Sequence, residues 1–188
     1  MSDTTMRLFI AAPLTAEARR DLQAHLDICV PGGRLPGRVV PPANWHFTLR
    51  FLGDVAPAEY EALRASLARL RLGDAFDLAM SGLGAFPRPD RARVLWIGTS
   101  TGARELSELA RLVESAVVEL GFEQDRRPFR PHLTLSRLRP DGDVQAVVDA
   151  VPDARVQMRV DEIQIVRSHL GPSGARYETL DHLPLTSP

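Results

Sequence analysis

Two tetrapeptides, His46-Phe47-Thr48-Leu49 and His132-Leu133-Thr134-Leu135, repeat the pattern His-apolar-Thr-Leu. With 5 His and 9 Thr in 188 residues, chance supplies roughly a quarter of one His-x-Thr match. Side chains alternate across a strand. His46 and Thr48 therefore share one face, with Phe47 and Leu49 on the other. His132 and Thr134 are set against Leu133 and Leu135 in the same way. The apolar faces belong to a core, and the polar faces line a cleft or meet water. If the two strands are neighbours, four polar groups converge.

Histidine is the side chain that serves as acid or base near neutral pH. Opening a cyclic phosphate needs both roles, one imidazole taking a proton from water and the other protonating the departing sugar oxygen. Threonine hydroxyls donate to nonbridging phosphate oxygens. Arg130, two residues before His132, offers a bidentate fork for the phosphate. Arg126 and Arg127 are further candidates in the same loop, or solvated residues. A zinc site uses three or four protein ligands, and neither histidine has a carboxylate or thiolate close in sequence. Asp54 lies eight residues beyond His46, past its strand. No metal and no cofactor are expected.

The elements that must position these groups follow from pattern. Residues 7–12 read as a buried strand, and Thr15 caps a helix to about Leu26 with Glu17 in its first turn. Residues 31–42 are loop with an extended Val39-Val40. Residues 46–53 alternate as a strand. Pro57 opens an amphipathic helix to about Leu72. Residues 76–86 and 93–99 form a hairpin about Pro87-Arg88-Pro89-Asp90. Ser100 or Thr101 caps the longest helix, which ends with Gly121 at C′. After a loop over 122–131 come a strand at 132–138, a short helix at 143–151, one long strand over 155–167 and a last one over 176–180. Each half contains a strand that begins with histidine, so an internal duplication is expected, with two α+β lobes around a groove.

The bulk composition narrows the function. The chain is 44% apolar and 25% charged, with net charge −1, which suits a soluble globular protein. No broad basic field is available to wrap duplex nucleic acid, so any nucleic-acid contact must be local. All 23 basic residues are arginine. A P-loop and a lysyl-nucleotide ligase both require a lysine that is absent. The single Cys29 permits no internal disulfide and reads as a half-buried small residue. No run approaches a membrane helix, and the N-terminal apolar run is short and broken at Pro13, unlike a signal peptide. A cytoplasmic protein is expected.

With these motifs in view, the chain resembles the 2H phosphoesterase superfamily, and within it the RNA 2′,3′-cyclic phosphodiesterases, also called 2′-5′ RNA ligases. The likeness runs through Arg7-Leu8-Phe9-Ile10-Ala11, Asn44 to Gly53, Arg93-Val94-Leu95-Trp96, Phe129 to Leu135, Ser168, and Gly174-Ala175-Arg176-Tyr177. The resemblance implies one domain over 1–188 made of two intertwined, pseudo-symmetric lobes, each with an antiparallel sheet and helices. It implies hydrolysis of a terminal 2′,3′-cyclic phosphate to a 2′-phosphomonoester, with His46 as proton donor and His132 as proton acceptor. The residue types alone do not separate those roles. The same pair would also join a cyclic phosphate to a 5′-hydroxyl in a reversible, ATP-independent 2′-5′ ligation.

Thr48 and Thr134 complete the catalytic set. Arg130, Phe129, Tyr177 and Ser168 are the expected substrate contacts, although Phe129 also suits core packing. Trp45 and Trp96 are expected in the core, His25 and His182 at the surface, and His169 at the surface or lining the groove. The expected partners are RNA ends or tRNA fragments bearing a 2′,3′-cyclic phosphate, with no membrane and a monomeric chain. A second reading keeps the site but turns over small cyclic or 2′-5′ linked nucleotides. A third is an RNA-end-binding protein, against which the intact histidine pair argues.

Overall fold

The fold is taken from a computed structural model, which describes residues 5–154, 156–172 and 174–186. It is α+β, with a strongly curled antiparallel sheet and four α-helices. The strands are β1 (Met6–Pro13), β2 (Arg38–Val39), β3 (His46–Val55), β4 (Phe76–Phe86), β5 (Ala92–Thr101), β6 (Leu133–Gly142), β7 (Val156–Val160), β8 (Glu162–Gly171) and β9 (Gly174–Pro184). The helices are α1 (Ala16–Cys29), α2 (Pro57–Leu67), α3 (Ala103–Glu119) and α4 (Gln145–Ala150). Eight strands run in the order β7-β4-β5-β6-β3-β1-β8-β9, and β2 pairs with β6. The two histidine strands are therefore neighbours at the centre of one continuous sheet. They are not central to two separate sheets.

Local chemistry explains most element ends. Thr15 accepts from the Ala18 N–H and caps α1. Pro57 begins α2, where its missing N–H costs nothing. The α3 cap differs from expectation. Gly102, at φ 82°, takes the position instead of Ser100 or Thr101, which continue β5. Its left-handed backbone turns the chain tightly over Asp77 and Leu78, where a Cβ would meet the Asp77 carbonyl oxygen at 2.9 Å. Gly121, at φ 92°, follows the Leu120 C-cap.

The strand expected over 155–167 is two, broken at Asp161, because β7 pairs with β4 while β8 pairs with β1. Arg155 lies outside the described residues. β9 runs much further than residues 176–180. No helix among the described residues is long and apolar enough to cross a membrane.

The core lies between the sheet and the helices. Phe47, Leu133 and Leu135 are fully buried there beside Leu106 and Val113 of α3. This burial fixes the outward face. A one-residue slip of either strand would put its leucines in water, so core packing is what aims both histidines at the other face.

Candidate active site

β3 and β6 meet antiparallel at Phe47↔Leu133. Carried one residue either way, that register puts His46 opposite Thr134 and Thr48 opposite His132. The four side chains form a diagonal quartet on the concave face. His46, Thr48, Thr134, Ser168 and Tyr177 line a common cavity of about 90 Å³, whereas His132 is not among its lining residues. Phe9, Asn44, Phe51 and Arg137 also border it. A second cavity of about 350 Å³ shares Phe9, Asn44, His46 and Tyr177 with the first and extends along β1 and β8.

The imidazoles are held alike. His46 Nδ1 is 2.8 Å from the Asn44 carbonyl oxygen, and His132 Nδ1 is 2.7 Å from that of Arg130. A carbonyl only accepts, so each Nδ1 carries hydrogen and each Nε2 is left for chemistry. His46 Nε2 lies 2.9 Å from Thr48 Oγ1. His46 stacks on Phe9 at 4.7 Å and meets the edge of Tyr177 at 5.4 Å. His132 sits edge-on to Phe86 at 5.0 Å and to Trp96 at 6.2 Å. Burial lowers the His46 pKa to about 4, with the Arg137 and His132 charges acting the same way against the Asn44 hydrogen bond. His132 is also lowered, by burial and then by Arg137. His46 is therefore neutral at pH 7, and burial favours the neutral form of His132 as well.

Arg137 is the residue that pattern reading missed. β6 carries a bulge, because Trp96 pairs with Thr134 and Leu95 with Ser136, leaving Leu135 unmatched. The extra residue flips the alternation and sends Arg137 to the groove. The signal was present in the spacing of Leu133, Leu135 and Leu138, two residues and then three. β3 bulges at the matching place, with Ala11 opposite Thr48 and Ile10 opposite Arg50. There the groove position three residues past the threonine is Phe51, as Arg137 is on β6.

The remaining candidates are distributed unevenly. Arg130 is exposed and does not border the cavity; it acts on His132 through its backbone carbonyl. Phe129 is half-buried against the core instead of facing the groove. Arg127 is engaged by Asp125 at 2.9 and 2.6 Å, and Arg126 is exposed. Ser168 and Tyr177 pair across β8 and β9. His169 lies on the other face of that hairpin, bonded to Glu178 at 2.6 Å.

Trp45 is core, as expected. Trp96 is not in the core. It shares a face with Thr134 and lies across Gly84, where a Cβ would come within 2.3 Å of the ring. Asn44 was also missed as a positioning residue. Its side chain donates to the Ala175 carbonyl at 2.8 Å while its own carbonyl orients His46. Among the described residues, no three His, Cys, Asp or Glu side chains converge to hold a metal ion.

A curled antiparallel sheet with two inward histidine–threonine pairs defines a class, and comparison with known proteins agrees. A model of the 2′-5′ RNA ligase superfamily matches residues 33–172, and the chain belongs to that superfamily. It is 35% identical to an RNA 2′,3′-cyclic phosphodiesterase of Aeropyrum pernix over 165 residues, 86% of this chain and 89% of that one. It is 33% identical over 180 residues to a protein of the same description from Escherichia coli, covering 96% and 97%. The crystal structure of E. coli LigT complexed with 3′-AMP superposes with a TM-score of 0.82 at 32% identity, over 97% of this chain and 99% of that one.

Proposed function

We propose that this protein hydrolyses terminal RNA 2′,3′-cyclic phosphates to 2′-phosphomonoesters by two-histidine acid–base catalysis without a metal. The observation that carries the reading is the pair of Nδ1-anchored imidazoles, His46 opening β3 and His132 immediately before the adjacent β6, each two residues before a threonine. The full-length relatives described as RNA 2′,3′-cyclic phosphodiesterases support the substrate class. Four strands on either side of the β3–β6 seam, with matching bulges, support two intertwined pseudo-symmetric lobes in one domain.

In this mechanism His132 Nε2 takes a proton from water. The water oxygen bonds to phosphorus, the P–O3′ bond breaks, and His46 Nε2–H delivers its proton to O3′. Arg137, Thr48 and Thr134 hold the nonbridging oxygens, and the larger cavity beside His46 takes the ribose and base. The phosphate anion offsets the repulsion from Arg137 and so favours a proton on His46. With a 5′-hydroxyl in place of water as the nucleophile, the same steps in the same direction give a 2′-5′ linkage.

The test is a product assay across RNA ends, tRNA halves and cyclic mononucleotides with purified protein. We expect 2′-phosphate products and turnover that persists in EDTA. Full activity in either His46→Ala or His132→Ala rejects the mechanism. Loss in EDTA that added metal restores would establish metal catalysis instead.

A further inference from the structure

Arg38 and Arg137 stand directly opposite each other on β2 and β6. Cross-strand partners project to the same face, so Arg38 is aimed to the side on which Arg137 borders the catalytic cavity. Both are exposed. Like charges directly opposite on a sheet are destabilising. Neither forms an ion pair or a side-chain hydrogen bond among the described residues, whereas Arg50, Arg64, Arg91 and Arg127 all meet carboxylates.

The Arg38 guanidinium reaches the start of β9. It lies over the Gly174 backbone, where a Cβ would meet its nitrogen at 2.8 Å. Gly174 opens β9 at φ 130°, one residue before Ala175, whose carbonyl anchors Asn44. Arg38 thus reaches from β2 to the β8–β9 hairpin, two residues before Val40, which lines the cavity with Ser168 and Tyr177. With a net charge of −1, the protein gains no polyanion affinity from its overall field.

We propose that Arg38 is a second phosphate-binding residue, taking the phosphodiester on the 5′ side of the terminal nucleotide while Arg137 serves the cyclic phosphate. The inference rests on the cyclic-phosphate reading of the site and adds a consequence to it. The protein selects oligonucleotide ends over mononucleotides, because only a chain offers the second anion. The like-charge pair is relieved when two phosphates lie along it.

Binding is measured for a dinucleotide ending in a 2′-phosphate and for a nucleoside 2′-phosphate, with wild-type protein and Arg38→Ala. Turnover of the matching cyclic phosphates is followed in parallel. Arg38→Ala should weaken the dinucleotide about tenfold more than the mononucleotide. It should also reduce by about one the slope of log affinity against log salt for the dinucleotide. Arg38→Lys, which keeps the charge, should recover part of that difference. Equal losses on both ligands, or none on either, overturn the proposal. Discriminating binding without turnover of any cyclic phosphate would sink the hydrolytic reading and leave the second phosphate site standing.

Discussion

His46 and His132 are anchored by the same bond, Nδ1 to the carbonyl two residues earlier, yet their surroundings differ. His46 is packed flat on Phe9 with Tyr177 at its edge. Its Nε2 is already engaged by Thr48. His132 touches Phe86 and Trp96 only edge-on, and it directly follows the loop that Arg50 pins by bonding to Glu114 and to the Glu123 carbonyl. Past the two bulges the contrast sharpens, with Phe51 on one side and Arg137 on the other. One local motif has thus been given two electrostatic settings. A site that must hold one proton donor and one acceptor needs such a difference, because two identical histidines would compete for the same proton.

The largest expected effect tests the roles directly. On an RNA 2′,3′-cyclic phosphate, alanine at either histidine should cost ~10²–10⁴ in kcat. The two losses should separate on a phosphodiester with an aryl leaving group, which departs without protonation. His46→Ala should then recover most of its activity, and His132→Ala should stay impaired. Recovery in His132→Ala alone would exchange the assignments.

Next comes the Arg137–Phe51 contrast. A hydrogen bond to a charged group is worth about 1.5–3 kcal/mol, so Arg137→Ala should lower kcat/KM roughly ten- to hundredfold. Phe51→Ala should cost less. Arg137 depresses both histidines, so its removal should also move the free-enzyme pH optimum, read from kcat/KM, to higher pH. An unmoved optimum would mean that burial alone sets the histidines.

Legibility follows the same divide. The histidine–threonine faces could be read because an unbroken period of two needs only alternation, and Phe47, Leu133 and Leu135 supply it. Arg137 could not be read that way, because a single unpaired Leu135 reverses the faces. Arg130 is near His132 in sequence. Chain proximity brings its carbonyl to the ring and leaves its side chain in solvent. The residue type of Trp96 points to the core, whereas its pairing with Thr134 puts it on the groove. The continuous sheet was hidden for another reason. Its β3–β6 seam rests on one register pair, set by distant packing rather than by any local pattern.

A third difference should be visible in stability. The His46 pKa is near 4 in the folded chain, against 6.5 for a free histidine. Between those values the unfolded chain binds the extra proton, so stability falls as pH drops through that window. From pH 7 to pH 5 the loss from this group is about 2 kcal/mol. Urea denaturation of His46→Asn should show a correspondingly flatter pH dependence. His132→Asn should flatten it less, because the larger depression belongs to His46. Equal flattening would show the two settings to be alike.

The smallest effect concerns the threonines. Thr48 Oγ1 is bonded to His46 Nε2, while Thr134 has no side-chain hydrogen bond among the described residues. To serve a phosphate, Thr48 must give up one hydrogen bond for another. Thr134 gains its bond outright. A neutral hydrogen bond nets about 0.5–1.5 kcal/mol. Thr134→Val should therefore lower kcat/KM by up to about tenfold, and Thr48→Val by less, part of its cost being offset by the bond it no longer has to break. If Thr48→Val proves the more damaging, its hydroxyl is needed to hold His46 in place, and the two threonines have parted in role as the two histidines have.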